Sequence, residues 1–218
     1  MASFGMSYNM YNYVYNAVQQ RAEQDKKPCR YYPSMQSPDI PWARSVDARI
    51  RKRIEDPPSP AVSFFIRFLE SKGIRDGRLI DLGCGNGRNA VFFAKKGFEV
   101  HAVDKSDEIL ADLDLHGVMP HCHSVTDSWL FEDAFFDLAI DIFCYSSQND
   151  ENQKKSYQSE LVRVLRSGGY FLLSVPLGYK QKQLALEFPG FSIVASQESA
   201  DIIDGKKEKT LDLILRKA

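Results

Sequence analysis

Asp81, Gly83, Gly85 and Gly87 stand at alternate positions in L-I-D-L-G-C-G-N-G-R-N-A (79–90), and Asp104 follows Gly83 by 21 residues. Glycines at that spacing let the backbone turn tightly and approach a ligand with no Cβ in the way. Leu79 to Leu82 is too short a run for a helix and reads as a buried strand, while Asn89 to Lys96 reads as the helix after the loop. A strand, a glycine loop and a helix together cradle a nucleotide-containing ligand. An acid at the tip of the next parallel strand, about 20 residues on, can accept both hydroxyls of a ribose held there, as a forked carboxylate does more strongly than a neutral side chain. Asp104 fits that place, although it could instead cap the following helix, a duty for which Ser106 competes.

The details of the loop narrow the ligand. A dinucleotide fingerprint asks for a third glycine at the sixth position, where helix and strand pack closely; here that residue is Arg88. Asp81, two residues before the first glycine, would set a negative charge where a pyrophosphate ought to lie. Near a cation the same carboxylate is favourable. A nicotinamide-dependent oxidoreductase is therefore disfavoured, and a ligand bearing a sulfonium and an ammonium group suits the site.

The pattern D-x-G-x-G-x-G over Asp81 to Gly87 resembles the first motif of class I S-adenosylmethionine-dependent methyltransferases, and G-N-G-R-N (85–89) resembles the small tellurite-resistance and thiopurine members. V-D-K-S (103–106) is similar to the tellurite family's turn after the second strand, and L-V-R-V-L-R-S-G-G (161–169) looks like the fifth motif of the class. The resemblance implies S-adenosyl-L-methionine as cofactor, bound by Asp81, Gly83, Cys84, Gly85, Arg88, Asn89, Asp104, Lys105, Thr126, Asp127 and Asp141. In that assignment Lys105 lays its stem near the adenine and Asp127 accepts the adenine amino group. It also implies a Rossmann-like open α/β sheet of seven strands in the order 3-2-1-4-5-7-6, the last antiparallel, with helices on both faces. On the acceptor side stand Trp42, Phe143 and Tyr145, with Asp141 as candidate acid-base residue. Ile40-Pro41-Trp42 is similar to the lead-in of the two families, but Ala43 stands where those relatives tend to carry an acid.

Asp141 also earns attention from position alone: it lies toward the carboxyl end of the fourth strand, where open parallel sheets bind ligands. The alternative is a carboxylate paired with a local arginine or backbone amide. Asp137, at the F-D-L opening of the same strand, reads as structural. His121 and His123 alternate onto one face of a short third strand, yet two histidines without a third convergent ligand do not make a metal site.

The elements that must position these residues follow from composition and pattern. With 218 residues, 44% hydrophobic and a net charge of −1, the chain suits one elaborated globular domain and shows no bulk attraction to nucleic acid or acidic membranes. Cys29, Cys84, Cys122 and Cys144 form no C-x-x-C pair, which points to a reducing compartment. No run approaches the roughly 20 apolar residues of a bilayer span, so a cytoplasmic location is expected.

Residues 1–57 are expected to be an N-terminal extension and 58–218 the catalytic domain. Met10, Tyr11, Val14, Tyr15 and Val18 fall at helical spacing, for a helix docked on the core or a lid. Seven of the ten prolines lie between Pro28 and Pro60, so that stretch straps over the surface, with a short basic helix possible at Arg44 to Ile54. Ser59 is expected to cap a helix to Ser71 whose inward stripe is Val62, Phe65, Ile66 and Leu69, with Gly73 stopping it. Further helices are expected at 107–115, 150–165 and 181–188, and further strands at 98–103, 120–125, 135–143, 170–175, 191–196 and 210–215, the last two as an edge hairpin about Asp204-Gly205.

The function these readings support is S-adenosylmethionine-dependent methyl transfer to a small-molecule acceptor with a sulfur, chalcogen, nitrogen or oxygen nucleophile. Two alternatives stand beside it: a macromolecular acceptor, RNA or protein, for which the basic run 44–53 would speak, and a cofactor-binding subunit without turnover. The oligomeric state is left open.

Overall fold

The computed structural model describes residues 56–218 apart from 111, 112, 204 and 205. The expected N-terminal helix, the basic helix and Trp42 lie outside the described residues.

The chain enters through helix α1 (Pro60–Ser71), whose proline at the first position costs no hydrogen bond and whose Val62, Phe65, Ile66 and Leu69 are buried. Ser59 occupies the cap position without a side-chain cap bond. The expected cap is replaced by a long-range tie, the Ser59 amide donating to Asn89 Oδ1 at 3.0 Å, which fixes α1 to the helix after the glycine loop. At the other end the Ile74 amide reaches Leu69 O and the Gly73 amide Glu70 O, closing the helix with Gly73 at φ +74°.

Strand β1 (Arg78–Leu82) leads into the loop, and helix α2 (Arg88–Lys95) follows, ended the same way by Gly97 and by Phe98 packing back on Phe93 at 5.3 Å. Strand β2 (Glu99–Asp104), the short helix α3 (Asp107–Leu110) and a 3₁₀ turn (Asp114–His116) precede β3 (Val118–Cys122). Then come β4 (Phe136–Ile142), α4 (Glu151–Val164), β5 (Leu165–Pro176), α5 (Gln181–Glu187), β6 (Phe191–Ile203) and β7 (Lys206–Lys217).

The seven strands form one sheet in the order β3-β2-β1-β4-β5-β7-β6, with β1 to β5 parallel and β7 antiparallel to both β5 and β6. The central strands carry apolar side chains on both faces, as parallel strands covered on both sides must. Leu79, Val100, Leu138, Ile140 and Leu172 pack under α1 and α2; Ile80, Leu82, Val103, Phe171 and Leu173 pack under α4 and α5. Among the described residues no helix is long and apolar enough to cross a membrane.

Four strands depart from their expected boundaries, and the helix expected at 107–115 is α-helical at Asp107–Leu110, with a 3₁₀ turn at Asp114–His116. β3 starts two residues earlier and ends at Cys122, because Gly117 at φ +76° completes the preceding turn; His123 therefore falls past the strand. β5 begins at Leu165, running through Gly168-Gly169 over a register shift against β4. Gly169 serves close packing rather than a turn, since a Cβ there would lie 2.7 Å from Asp137 O. β6 and β7 extend to Ile203 and back from Lys206, well beyond the expected 196 and 210.

Candidate active site

The loop between β1 and α2 turns on three left-handed glycines, Gly83 (φ +68°), Gly85 (φ +52°) and Gly87 (φ +72°). Two are also required by packing: a Cβ on Gly83 would lie 2.4 Å from Cys144 Sγ, and one on Gly87 would lie 2.2 Å from Leu113 Cδ2. The loop is thus pressed against the end of β4 on one side and the approach to β3 on the other. Nothing lies within 4 Å of a Cβ built on Gly85, whose open face is where a ligand can approach the backbone.

Asp104 closes this loop. Its Oδ2 accepts the Gly85 amide at 3.0 Å and its Oδ1 accepts the Ser106 amide at 3.0 Å. The carboxylate thus closes a local turn before α3 and anchors the glycine loop, and each oxygen keeps a lone pair for a further donor.

Asp81 lies at the bottom of the site, buried, with Oδ2 lacking any hydrogen-bond partner. Burial, reinforced by the nearby Asp141 and Asp104 carboxyls, pushes its pKa up to about 8, against the pull of the Ala90 amide and Arg88. A buried acid oxygen without a partner is costly unless a donor or cation meets it. A cavity of about 200 Å³ opens onto it, bounded by the loop, Arg88, Asn89, Ile142, Phe143 and Ile202.

Arg88 explains how a long side chain is tolerated at the sixth position of the motif. Its Nη2 grips Asp201 of β6 at 3.1 and 2.9 Å while the side chain lines the cavity. Asn89, buried at the start of α2, lines the cavity while its Oδ1 holds the Ser59 amide. Cys84 is buried on the same wall, and burial raises its thiol well above the ordinary range, so it is an inert neutral wall group.

The residues expected on the acceptor side separate. Phe143 is on the cavity wall, in a left-handed backbone conformation (φ +70°) held by its amide donating to Ser174 O at 3.0 Å. Tyr145 is not: its ring is fully buried, its hydroxyl donates to Glu187 Oε2 at 2.6 Å and it accepts from Gln158 Nε2 at 2.6 Å. Asp141 also lies off the wall. It is fully buried beneath it, with Oδ2 accepting the Tyr157 hydroxyl at 2.7 Å and the Tyr145 amide at 2.9 Å, while Oδ1 lies 3.2 Å from the same amide. Burial raises its pKa to about 7. The pairing with local donors that the sequence left as the alternative is the geometry observed.

Lys105, Thr126 and Asp127 lie past the ends of β2 and β3 and do not line the cavity. The Thr126 and Ser124 hydroxyls bond at 2.8 Å, and the exposed Asp127 closes a turn through its amide to Ser124 O. Asp137 is structural: its Oδ2 accepts the Arg78 amide at 2.8 Å and its Oδ1 the Arg166 Nε at 2.5 Å. His121 stacks on His101, Nε2 to Nδ1 at 2.9 Å, among Phe131, Phe135 and Phe136. Asp201 and Ile202 were missed, because nothing in S-A-D-I-I-D-G marks them as part of a site. Only the alternation continuing through 198–203 could have lengthened the hairpin enough to reach it.

The comparisons agree with this geometry. The family described as "Methyltransferase domain" matches residues 79–169, from β1 to the glycines of β5. The Bacillus subtilis (strain 168) protein YqeM is 28% identical over 144 residues, 63% of this chain and 56% of that protein. EEF1A lysine methyltransferase 2 of Danio rerio is 26% identical over 142 residues, 59% of this chain and 61% of that protein. The chain thus spans between half and two thirds of the length of these curated relatives. Among solved structures, 1,6-didemethyltoxoflavin-N1-methyltransferase of Burkholderia thailandensis, solved with 1,6-didemethyltoxoflavin and S-adenosylhomocysteine bound, superposes with a TM-score of 0.62. It is 20% identical, and the match covers 100% of this chain and 93% of that one. A TehB-like S-adenosylmethionine-dependent methyltransferase of Corynebacterium glutamicum gives 0.61 at 17% identity, covering 81% and 98%. Residues 79–169 match the methyltransferase-domain family, and the strand order and glycine loop give the chain the fold of the class I S-adenosylmethionine-dependent methyltransferases.

Proposed function

We propose that the protein transfers a methyl group from S-adenosylmethionine to a small-molecule acceptor in the cytoplasm. The observation that carries this reading is the partnerless Asp81 Oδ2 beneath the glycine loop, in a site whose other nearby acids are Asp104 and Asp141. Such a cluster is unfavourable when empty of cations and is complementary to a ligand carrying two of them. The residues fit that cofactor. Asp81 would face its positive groups, the open Gly85 backbone would let it approach, and Asp104 would take the ribose hydroxyls.

When bound, the cofactor supplies a methyl group that its sulfonium already activates. The protein's task is alignment, and proximity and orientation can supply roughly 7–11 kcal/mol. The end of β4 does this work. Asp141 ties the Tyr145 amide and the Tyr157 hydroxyl, and so fixes the turn that sets Phe143 on the wall. We assign Asp141 this positioning role; soft acceptors such as thiols need no base, and the acid has no oxygen on the cavity wall.

The likeness to the toxoflavin enzyme favours a small acceptor, and the free thiols of Cys84 and Cys144 favour a reducing compartment. A second reading, a protein lysine acceptor, is favoured by the similarity to EEF1A lysine methyltransferase 2. Incubation with methyl-tritiated S-adenosylmethionine and a cell extract split into low- and high-mass fractions separates the two. The small-molecule reading expects label in the low-mass fraction, and label confined to protein would replace it with the second.

A further inference from the structure

The hairpin of β6 and β7 reaches far beyond the sheet that carries it. β7 pairs with β5 only from Thr210 to Arg216, whereas β6 and β7 continue to pair out to Ile203 and Lys206. About four residues of each strand therefore project past the carboxyl edge of β5, roughly 13 Å at strand rise. The arm is pinned where it meets the glycine loop, by Arg88 on Asp201, with Asp201 only 7% exposed. The next residue, Ile202, is 67% exposed and yet lies on the cavity wall.

Asp104 marks the ribose side of the site at the tip of β2, so an acceptor has to approach from the opposite side, over β4 and β5. The arm comes from that side. Ile142, Phe143 and Ile202 there make an apolar wall. Arg88 is the one cation among the described cavity residues, and Asp201 already occupies it. An anionic group brought against this wall would be stripped of water without a protein counter-charge.

Building on the methyltransferase reading, we infer that Ile202, held over the cavity by the Arg88–Asp201 ion pair, is a specificity-determining wall that selects an acceptor uncharged and apolar at its contacting face. The arm thereby discriminates against oxyanions and carboxylates. Its exposed apolar side chain is the surface that such an acceptor buries.

The test uses the full chain saturated with S-adenosylhomocysteine and two probes with one ring system, uncharged 2-naphthol and anionic 2-naphthoate, titrated by calorimetry. Naphthol is expected to bind about tenfold or more tighter than naphthoate. Ile202→Ala should weaken naphthol about tenfold, with Ile202→Val restoring most of it, and the loss for naphthol should exceed any loss for S-adenosylhomocysteine. Asp201→Asn should weaken naphthol similarly and speed trypsin cleavage after Lys206 and Lys207, both exposed on the arm. Equal binding of the two probes, or of neither, overturns the inference. So does an Ile202→Ala protein that loses S-adenosylhomocysteine instead of naphthol. Failure of the wild type to bind S-adenosylhomocysteine is a separate outcome that removes the methyltransferase reading and this inference with it.

Discussion

Asp104 and Gly85 are bonded to one another, Oδ2 accepting the glycine amide at 3.0 Å, so the acid that ends β2 and the loop that follows β1 form one unit. Asp104→Ala should therefore weaken S-adenosylhomocysteine binding about tenfold to a hundredfold, the range expected for losing hydrogen bonds to a charged group. Asp137→Ala is the control. Hydrogen bonds from the Arg78 amide and Arg166 hold that carboxyl below its usual range despite partial burial. Its loss should lower stability in urea by about 1–3 kcal/mol with little effect on affinity. Equal affinity losses in the two variants would refute the ribose assignment.

Cofactor binding should release protons. Without a ligand, burial and then the neighbouring Asp141 and Asp104 push the Asp81 pKa up to about 8, favouring the neutral form. A bound cation favours the carboxylate, lowers that pKa and expels the proton. At pH 7, titration with S-adenosylmethionine in buffers of different ionisation enthalpy should show about one proton released, and affinity should rise as pH climbs toward 8. In Asp81→Asn the release should vanish. An unchanged proton count in that variant would show that another group is responsible.

The loop glycines should differ in cost. Gly83→Ala combines a left-handed backbone with a Cβ at 2.4 Å from Cys144 Sγ, whereas Gly85→Ala meets nothing within 4 Å and bears only the backbone term. Urea unfolding should show Gly85→Ala down by about 1–2 kcal/mol and Gly83→Ala by about 1–3 kcal/mol more. Equal losses would mean that the Cys144 contact yields freely.

Acid should destabilise the β2–β3 side. Burial, and then its neighbour His101, hold the His121 pKa well below the usual histidine value. A base with a depressed folded pKa contributes stability above its unfolded pKa of about 6.5, and that contribution is lost as pH falls. Asp81 and Asp141 act in the opposite direction: their raised pKa values cost stability as pH rises toward 7–8. Comparing wild type with His121→Gln isolates the histidine. The melting temperature should fall more steeply between pH 7 and pH 5 in the wild type, and parallel curves would contradict this.

What the sequence could and could not disclose follows from the physics of each element. The strand order follows from the methyltransferase resemblance; β1, the glycine loop, β2 and Asp104 were readable because short-range pattern and close backbone approach dictate them. Phe143 was reachable by its place at the end of β4. Tyr145 and Asp141 occupy equally suggestive places but are turned inward to Gln158, Glu187 and Tyr157, and such pairings join residues far apart in the chain. The arm was invisible because the strand pairing of its outer residues is only with each other and lies beyond the core, so no buried alternating stripe extends into it. Arg88 to Asp201 spans 113 positions, which no local pattern encodes.

The most direct test of the central claim is calorimetry of the full 218-residue chain with S-adenosylhomocysteine, followed by the nicotinamide dinucleotides. The geometry predicts micromolar binding of S-adenosylhomocysteine and none of the dinucleotides, since Asp81 opposes a pyrophosphate. Dinucleotide binding, or no binding of S-adenosylhomocysteine, would contradict it.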